Sequence, residues 1–362
     1  MFRITMLPAA DGDCFLVETA SAAGTHRLLI DGGRTATARN YLRPLIAGLA
    51  PRPGPTIDLM VLTHVDADHI EGLLDLVGAD NAPTVREVWF NDMRHLKLAA
   101  GLRPAPRAEQ PIPTLNVAQG ISFAKLVHER GYGWNTTLGG GPVMIDGGTG
   151  KLPSFPFSSG AVLTLLGPPR EKLVAFVKDW SKAIIDFSQS PEAVLAKRLI
   201  PLPTVQNVDA LARERDAADT KKPNGTSISF VLEHESRRVM FGADAHPDDL
   251  AGALRRFQPQ GQRIRFDAVK VPHHGSAANN TSQLIYLLES PLWLISSNGA
   301  VHRHPDPEAI ARIVLAEPRG KKLVFNYATQ YNQVWAPEEL QARFGYIVEL
   351  APDGEAKVVD LA

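Results

Sequence analysis

The chain carries a single cysteine, Cys14, among 362 residues. An intrachain disulfide and a thiolate metal site are therefore both excluded. No apolar run approaches the roughly 18 residues that crossing a bilayer requires, so no membrane role is expected. The opening Met1-Phe2-Arg3-Ile4-Thr5-Met6 lacks the charged-then-apolar pattern of a secretory leader, which makes the cytoplasm the expected compartment. An excess of one charge is missing as well. With 38 basic and 39 acidic residues the net charge is −1, which excludes a global basic field for nucleic acid or anionic lipid but not a local patch. Repeats and low-complexity tracts are also absent. What is present is 44% hydrophobic and 21% charged residues, enough apolar material for a sizeable core. The length suits two units or one large domain with insertions.

Strands and helices alternate in both halves. Cys14–Glu18 and Arg27–Ile30 read as paired strands turning at Ala22-Ala23-Gly24, and Asp31-Gly32-Gly33 stops the second. A helix over Arg39–Ala50, a buried strand over Ile57–Leu62, a helix over Ile70–Val77 and a strand over Val85–Phe90 follow. Between 101 and 222 the pattern loosens. Pro104, Pro106, Pro111 and Pro113 break regular structure, although Ala161–Leu166 reads as a strand and Glu171–Phe187 as a helix. This segment is expected to be an elaboration or lid within one domain spanning 1–362, with a solvated stretch at Arg213–Lys222. From Ser227 onward the expected order is a hairpin (Ser227–Glu233 and Arg238–Phe241 around Glu235), then the helix Pro247–Phe257 and the strand Ala268–Val271. The helix Ser282–Leu288, the strand Trp293–Ser296, the helix Pro307–Leu315 and the strand Lys322–Phe325 complete it. The alternation predicts a layered α/β fold.

The strongest chemical signal is Thr63-His64-Val65-Asp66-Ala67-Asp68-His69, directly after the apolar Leu59-Met60-Val61-Leu62. One tight loop cannot bury two carboxylates beside two imidazoles without a heavy desolvation cost, and divalent cations resolve that cost. The alternative is a solvated polar loop. Met240-Phe241-Gly242-Ala243-Asp244-Ala245-His246 presents a carboxylate at a second strand end, where a helix-capping role is the simpler explanation taken alone. Val271-Pro272-His273-His274-Gly275-Ser276 and Ser296-Ser297-Asn298-Gly299, followed by His302 and His304, place imidazoles at two further strand ends. Histidines scattered through core and surface would not gather in this way.

These motifs, with Leu28-Leu29-Ile30-Asp31-Gly32-Gly33 and Asn224-Gly225-Thr226-Ser227, resemble the metallo-β-lactamase superfamily. Within it they are most similar to the branch containing the hydrolase domain of the ComEC/Rec2 competence proteins. The resemblance implies a four-layer αββα sandwich with a dinuclear site at one edge. It implies His64 and Asp66 on a first metal, Asp68 and His69 on a second, and Asp244 bridging both. One of His273 and His274 would complete the second site, with His274 preferred. Asp31 would orient the ligand loop, unless it is simply a turn carboxylate. Asn224, Ser227, Ser276 and Asn298 are expected to contact ligands or substrate. Asp68 and His304 are the candidates for catalysis. His304 would donate to a substrate oxyanion or leaving group, unless it serves only the helix starting near Pro307.

One departure stands out. The superfamily places a further histidine for the first metal on a strand before the bridging Asp, and here that strand ends in Leu165-Leu166-Gly167-Pro168. His95 and His128 fall in the interval but read as core or surface residues, so the first site is expected to be short of a ligand. The donor set suits zinc or manganese, one or two ions. The reaction expected is phosphodiester hydrolysis by a metal-activated water, with nucleic acid as one candidate substrate. Arg255, Arg256, Arg263, Arg265 and Lys270 could form a backbone-binding patch or a solvated face balanced by Asp248, Asp249 and Asp267. Lactone or thioester hydrolysis is the alternative activity, and a non-catalytic sensor or partner-binding module is the alternative class.

Overall fold

The computed structural model describes residues 1–361 apart from 53, 104–114, 149, 179, 181–200, 215–216, 260–262 and 353. The four prolines after Gly101 and the second half of the expected Glu171–Phe187 helix lie outside the described residues. The first half is the helix Arg170–Val177.

Two sheets form the centre. The seven-stranded sheet runs in the order Lys357–Leu361, Phe2–Met6, Phe15–Ser21, Gly24–Ile30, Ile57–Val61, Val85–Trp89, Gly133–Trp134. The eight-stranded sheet runs Tyr346–Leu350, Lys321–Phe325, Leu292–Ile295, Ala268–Lys270, Arg237–Phe241, Ser229–His234, Val162–Gly167, Ser154–Pro156. Period-two alternation decides which side each residue takes. Phe15, Val17, Leu28, Ile30, Leu59 and Val61 join the core shared with the eight-stranded sheet, where Phe15 and Phe241 meet edge to face at 6.1 Å. Leu16, Leu29, Met60, Leu62 and Val88 face the other way and bury Ile70, Leu73, Leu76 and Val77 of the helix Ala67–Gly78. That helix keeps its apolar residues three and four apart, which gives it one buried stripe. The helices Pro247–Phe257, Ser282–Leu287 and Pro307–Leu315 pack with the eight-stranded sheet. The result is the αββα sandwich.

Besides four short strands of two or three residues, Phe2–Met6, Tyr346–Leu350 and Lys357–Leu361 carry no expectation above. Each of these three interleaves charged or hydroxyl residues with apolar ones, and the last two are sheet edges, so hydrophobicity marks them poorly. The expected helix Arg39–Ala50 is a π-helical turn at Ala38–Leu42 leading into Arg43–Ala47. Pro44 has no amide hydrogen and its ring crowds the carbonyl four residues earlier, which a wider turn relieves. Part of the segment read as an elaboration is built into both sheets, through Gly133–Trp134, Ser154–Pro156 and Val162–Gly167.

The parallel strands position the site. Gly24–Ile30 pairs parallel with Ile57–Val61, and Arg237–Phe241, Ala268–Lys270 and Leu292–Ile295 are successively parallel. Their carboxyl ends therefore open along one edge, where loops from different strands can converge. Those loops carry Asp31, His64–His69, Asp244, His273–His274 and Ser296–His304.

Candidate metal centre

The helix Ala67–Gly78 fixes the first ligand loop. A Cβ on Gly72 would meet the Gly32 carbonyl oxygen at 1.8 Å, so both glycines are needed for the helix to press against the Asp31-Gly32-Gly33 turn. Gly32 N donates to His69 O at 2.9 Å and Gly72 N to Gly33 O at 2.8 Å. This docking sets Asp31 beside the ligands. Its Oδ2 accepts from His69 Nδ1 at 2.8 Å and from Thr63 Oγ1 at 2.8 Å, and Thr63 Oγ1 in turn lies 3.0 Å from His64 Nδ1. One buried carboxylate thus orients two imidazoles so that each Nε2 faces inward.

The second sheet supplies the rest. Asp244 follows Arg237–Phe241, and its Oδ2 is 3.7 Å from His64 Nε2, 3.5 Å from His69 Nε2, 3.4 Å from His273 Nε2 and 3.6 Å from His274 Nε2. Asp66 Oδ2 is 3.7 Å from His64 Nε2, whereas Asp68 Oδ2 is 3.7 Å from His69 Nε2 and 3.4 Å from His274 Nε2. Such gaps are long for hydrogen bonds. They match the separation of about 3.4 Å between donors about 2.1 Å from a shared tetrahedral ion. His64 Nε2, His69 Nε2, His274 Nε2 and Asp244 Oδ1 are buried with no hydrogen-bond partner among the described residues. Orphaned polar atoms of this kind carry a desolvation cost that a cation removes.

The electrostatics point the same way. Burial would raise the Asp244 carboxyl, but His273, His274 and His69 hold it well below the usual carboxylate range. Burial would lower His69 and His274, yet Asp244 with Asp68 and Asp31 holds the first well above the ordinary imidazole value, and Asp244 with Asp13 does so for the second. His64 is pushed down to about 4 by burial and by His69. Asp66 is pushed up to about 7 by burial and by Asp68. Protons here supply positive charge that divalent ions would replace.

Backbone strain concentrates at this edge. Ala10, Asp31, Ala243, His273, His274 and Arg303 all have φ between 45° and 60°. Non-glycine residues hold this conformation only where their surroundings over-determine it. At His273 and His274 it is consecutive, with φ 45° and 54°.

Among the other expected residues, His304 lies beside the site, its ring 5.6 Å from that of His273, with Nδ1 3.5 Å from Asp306 Oδ1. Burial lowers its pKa despite Asp306. Asn224 donates to Asp219 Oδ2 at 2.7 Å. Asn298 Oδ1 accepts from Ala300 N at 2.9 Å, shaping its own loop. Ser227 is fully buried and its Oγ has no partner among the described residues, while Ser276 N donates to His273 O at 2.7 Å. His95 is a core residue capped with Asp92, and His128 is exposed. The basic stretch does not form one surface. Lys270 is buried, Arg256 donates to Asp146 O and Gly150 O, and Arg263 donates to Tyr286 O and Leu288 O. Of the five, Arg255 and Arg265 are exposed.

Several site residues carried no signal in the sequence. Asp13, buried, pairs with Lys270 Nζ and has Oδ1 3.4 Å from His274 Nδ1, which also donates to Ser296 O at 3.0 Å. Asp13, His69, Asp244 and His274 form one compact ligand-type group. Asn279 Oδ1 accepts from His273 Nδ1 at 2.7 Å. Asp219, expected in a solvated stretch, has a side chain only 6% exposed and stands 3.5 Å from His273 Nδ1.

No helix among the described residues is long and apolar enough to cross a membrane. No curated protein matches the chain. The solved structures similar to it over 99% of its length include the following three. Zinc-bound PqqB from Methylobacterium extorquens shares 13% identity with a TM-score of 0.42, all of that chain being covered. Igni18, a metallo hydrolase from the hyperthermophilic archaeon Ignicoccus hospitalis, shares 9% with a TM-score of 0.39, again with full coverage. CmlA, a diiron β-hydroxylase from Streptomyces venezuelae, shares 12% with a TM-score of 0.40 over 54% of its own chain. The family description "Metallo-beta-lactamase superfamily" matches residues 7–299, which takes in every proposed ligand, and the chain belongs to that superfamily.

Proposed function

We propose that the protein is a metal-dependent phosphodiesterase. The observation that carries this reading is the convergence of four imidazole Nε2 atoms within 3.7 Å of one Asp244 oxygen, with Asp66 and Asp68 alongside. His64, Asp66, Asp68, His69, Asp244, His273 and His274 would hold one or two divalent ions, zinc or manganese. When bound, such ions polarise a water and a phosphoryl oxygen and stabilise the leaving group.

The chain's own residues do the rest. Asp31 and Thr63 hold His64 and His69 in the tautomer that leaves Nε2 free, and Asn279 does the same for His273. His304, with Nδ1 against Asp306, would present its Nε2 side to substrate and, once protonated, would donate from Nε2 to the charge that develops in the transition state. Three carboxylates among the seven donors make the set harder than an all-histidine site, which suits ions that bind phosphate oxygens. Similarity to the competence-type branch supports the same chemistry, and nucleic acid is one substrate that carries the bond.

The test is a panel of bis-nitrophenyl phosphate, DNA, RNA, a lactone and a thioester, each with added zinc or manganese. Turnover of a phosphodiester is expected. Lactone or thioester cleavage without any phosphodiester turnover would move the assignment to that class, and no turnover at all would favour a non-catalytic module.

A further inference from the structure

We infer that the adjacent histidines serve different ions: His274 belongs with Asp68 and His69, and His273 completes the other set with His64 and Asp66. His273 thereby takes the place of the histidine missing from the strand Val162–Gly167. This inference rests on the metal-centre reading above.

The distances sort the donors into two groups. His274 Nε2 is 3.4 Å from Asp68 Oδ2, which is itself 3.7 Å from His69 Nε2. His64 Nε2 is instead 3.7 Å from Asp66 Oδ2. His273 Nε2 reaches Asp244 Oδ2 more closely than any other ligand nitrogen, at 3.4 Å, and the carboxylate beside its Nδ1 is Asp219, at 3.5 Å. Asp244 belongs to both groups. Each ion then has four protein donors including the shared carboxylate, whereas without His273 the first would have three.

The backbone makes this division possible. Two neighbours in an extended strand point to opposite faces and could not both reach Asp244. Two consecutive left-handed residues instead turn the chain so that both rings lie on the same side, 5.7 Å apart and inclined at 73°. Separate anchors then hold them: Asn279 Oδ1 for His273 Nδ1, and Ser296 O for His274 Nδ1. Asn279 Nδ2 also donates to Asp244 O and Ala245 O, which ties the His273 anchor to the bridging residue. Gly275 follows at φ 89°, and a Cβ there would meet the Pro305 Cβ at 2.5 Å, so the loop is held closely against the His304 segment.

The experiment is anomalous scattering from metal-loaded crystals of the wild type, His273→Asn and His274→Asn. Asparagine is chosen because it tolerates positive φ, which keeps the loop intact, while its side chain is too short to replace an imidazole Nε2. Elemental analysis of the same proteins in solution gives the ion count should either variant fail to crystallise. In H273N the ion beside His64 and Asp66 should fall at least tenfold in occupancy while the ion beside His69 and Asp68 persists, and H274N should show the reverse. Two full ions in H273N, or loss of the same ion in both variants, would overturn the division. A wild type that binds no ion would overturn the metal-centre reading itself, a result distinct from either.

Discussion

Thr63–His69 and Val271–Ser276 each follow a parallel strand and each deliver two imidazoles to Asp244, but they do so with different backbones. In the first loop the histidines are five positions apart, and the chain passes from an extended Asp66, with φ −67° and ψ 146°, straight into a regular helix. In the second they are adjacent and left-handed. The first loop spaces its ligands with ordinary conformations and relies on one carboxylate, Asp31, for orientation. The second compresses the spacing to nothing and relies on strain held by Asn279, Ser296 and the close packing of Gly275. The spacing of ligands set by regular structure can be read from sequence, whereas a backbone inversion hides that two adjacent histidines face the same way.

The sharpest way to break the comparison is to remove the group both loops share. Asp244→Ala should lose essentially all bound metal, because two neighbouring cations would be left without the carboxylate between them. Elemental analysis giving equal content in variant and wild type would contradict this. Next in size, His304→Ala should cut turnover about a hundredfold or more while metal content stays near the wild-type value, since its role is at the developing charge. Loss of metal along with activity would instead make His304 a ligand.

A third substitution separates the loops. Asp31→Asn should weaken metal binding about tenfold to a hundredfold, because that carboxylate serves His64 and His69 together. Of the four histidines Asn279→Ala touches only His273, although it also frees the Asp244 and Ala245 carbonyls, and it should weaken one ion more than the other, by less than Asp31→Asn does. Chelator competition measures both, and equal effects would mean that the two loops are anchored alike. The smallest effect concerns pH. In the metal-free site Asp244 with its neighbouring carboxylates outweighs burial and holds His69 and His274 well above the ordinary imidazole value, which favours their protonated forms. Ions must displace those protons, so affinity should rise with pH through the neutral range and uptake should release protons. Calorimetry in buffers of differing ionisation enthalpy detects this, and heats independent of buffer would contradict it.

The sequence reveals the parts of this molecule that are written in local patterns. The helices Pro247–Phe257 and Pro307–Leu315 match their expected limits because a proline starts each and an apolar stripe runs through it. His64, Asp66, Asp68 and His69 are legible because four ligand types crowd one strand end. Asp13, Asp219 and Asn279 are not legible, because each acts on a histidine far away in the chain or across a turn, and each looks locally like a loop residue. Lys270 misleads for the same reason. Among neighbouring arginines it reads as surface charge, yet it is buried against Asp13 beneath His274. Breaking one half of a buried pair leaves an unmatched charge at a cost of roughly 3–5 kcal/mol. Lys270→Met should therefore lower the melting temperature clearly, whereas Arg255→Met, on the exposed face of the same stretch, should leave it nearly unchanged.

The most direct test of the account is the metal content of the purified wild-type protein, followed through chelation and reloading. Two divalent ions per chain are expected. Their removal should abolish hydrolysis of bis-nitrophenyl phosphate, and zinc or manganese should restore it. A protein with no bound divalent ion after reloading, or with hydrolysis indifferent to the chelator, would contradict the account.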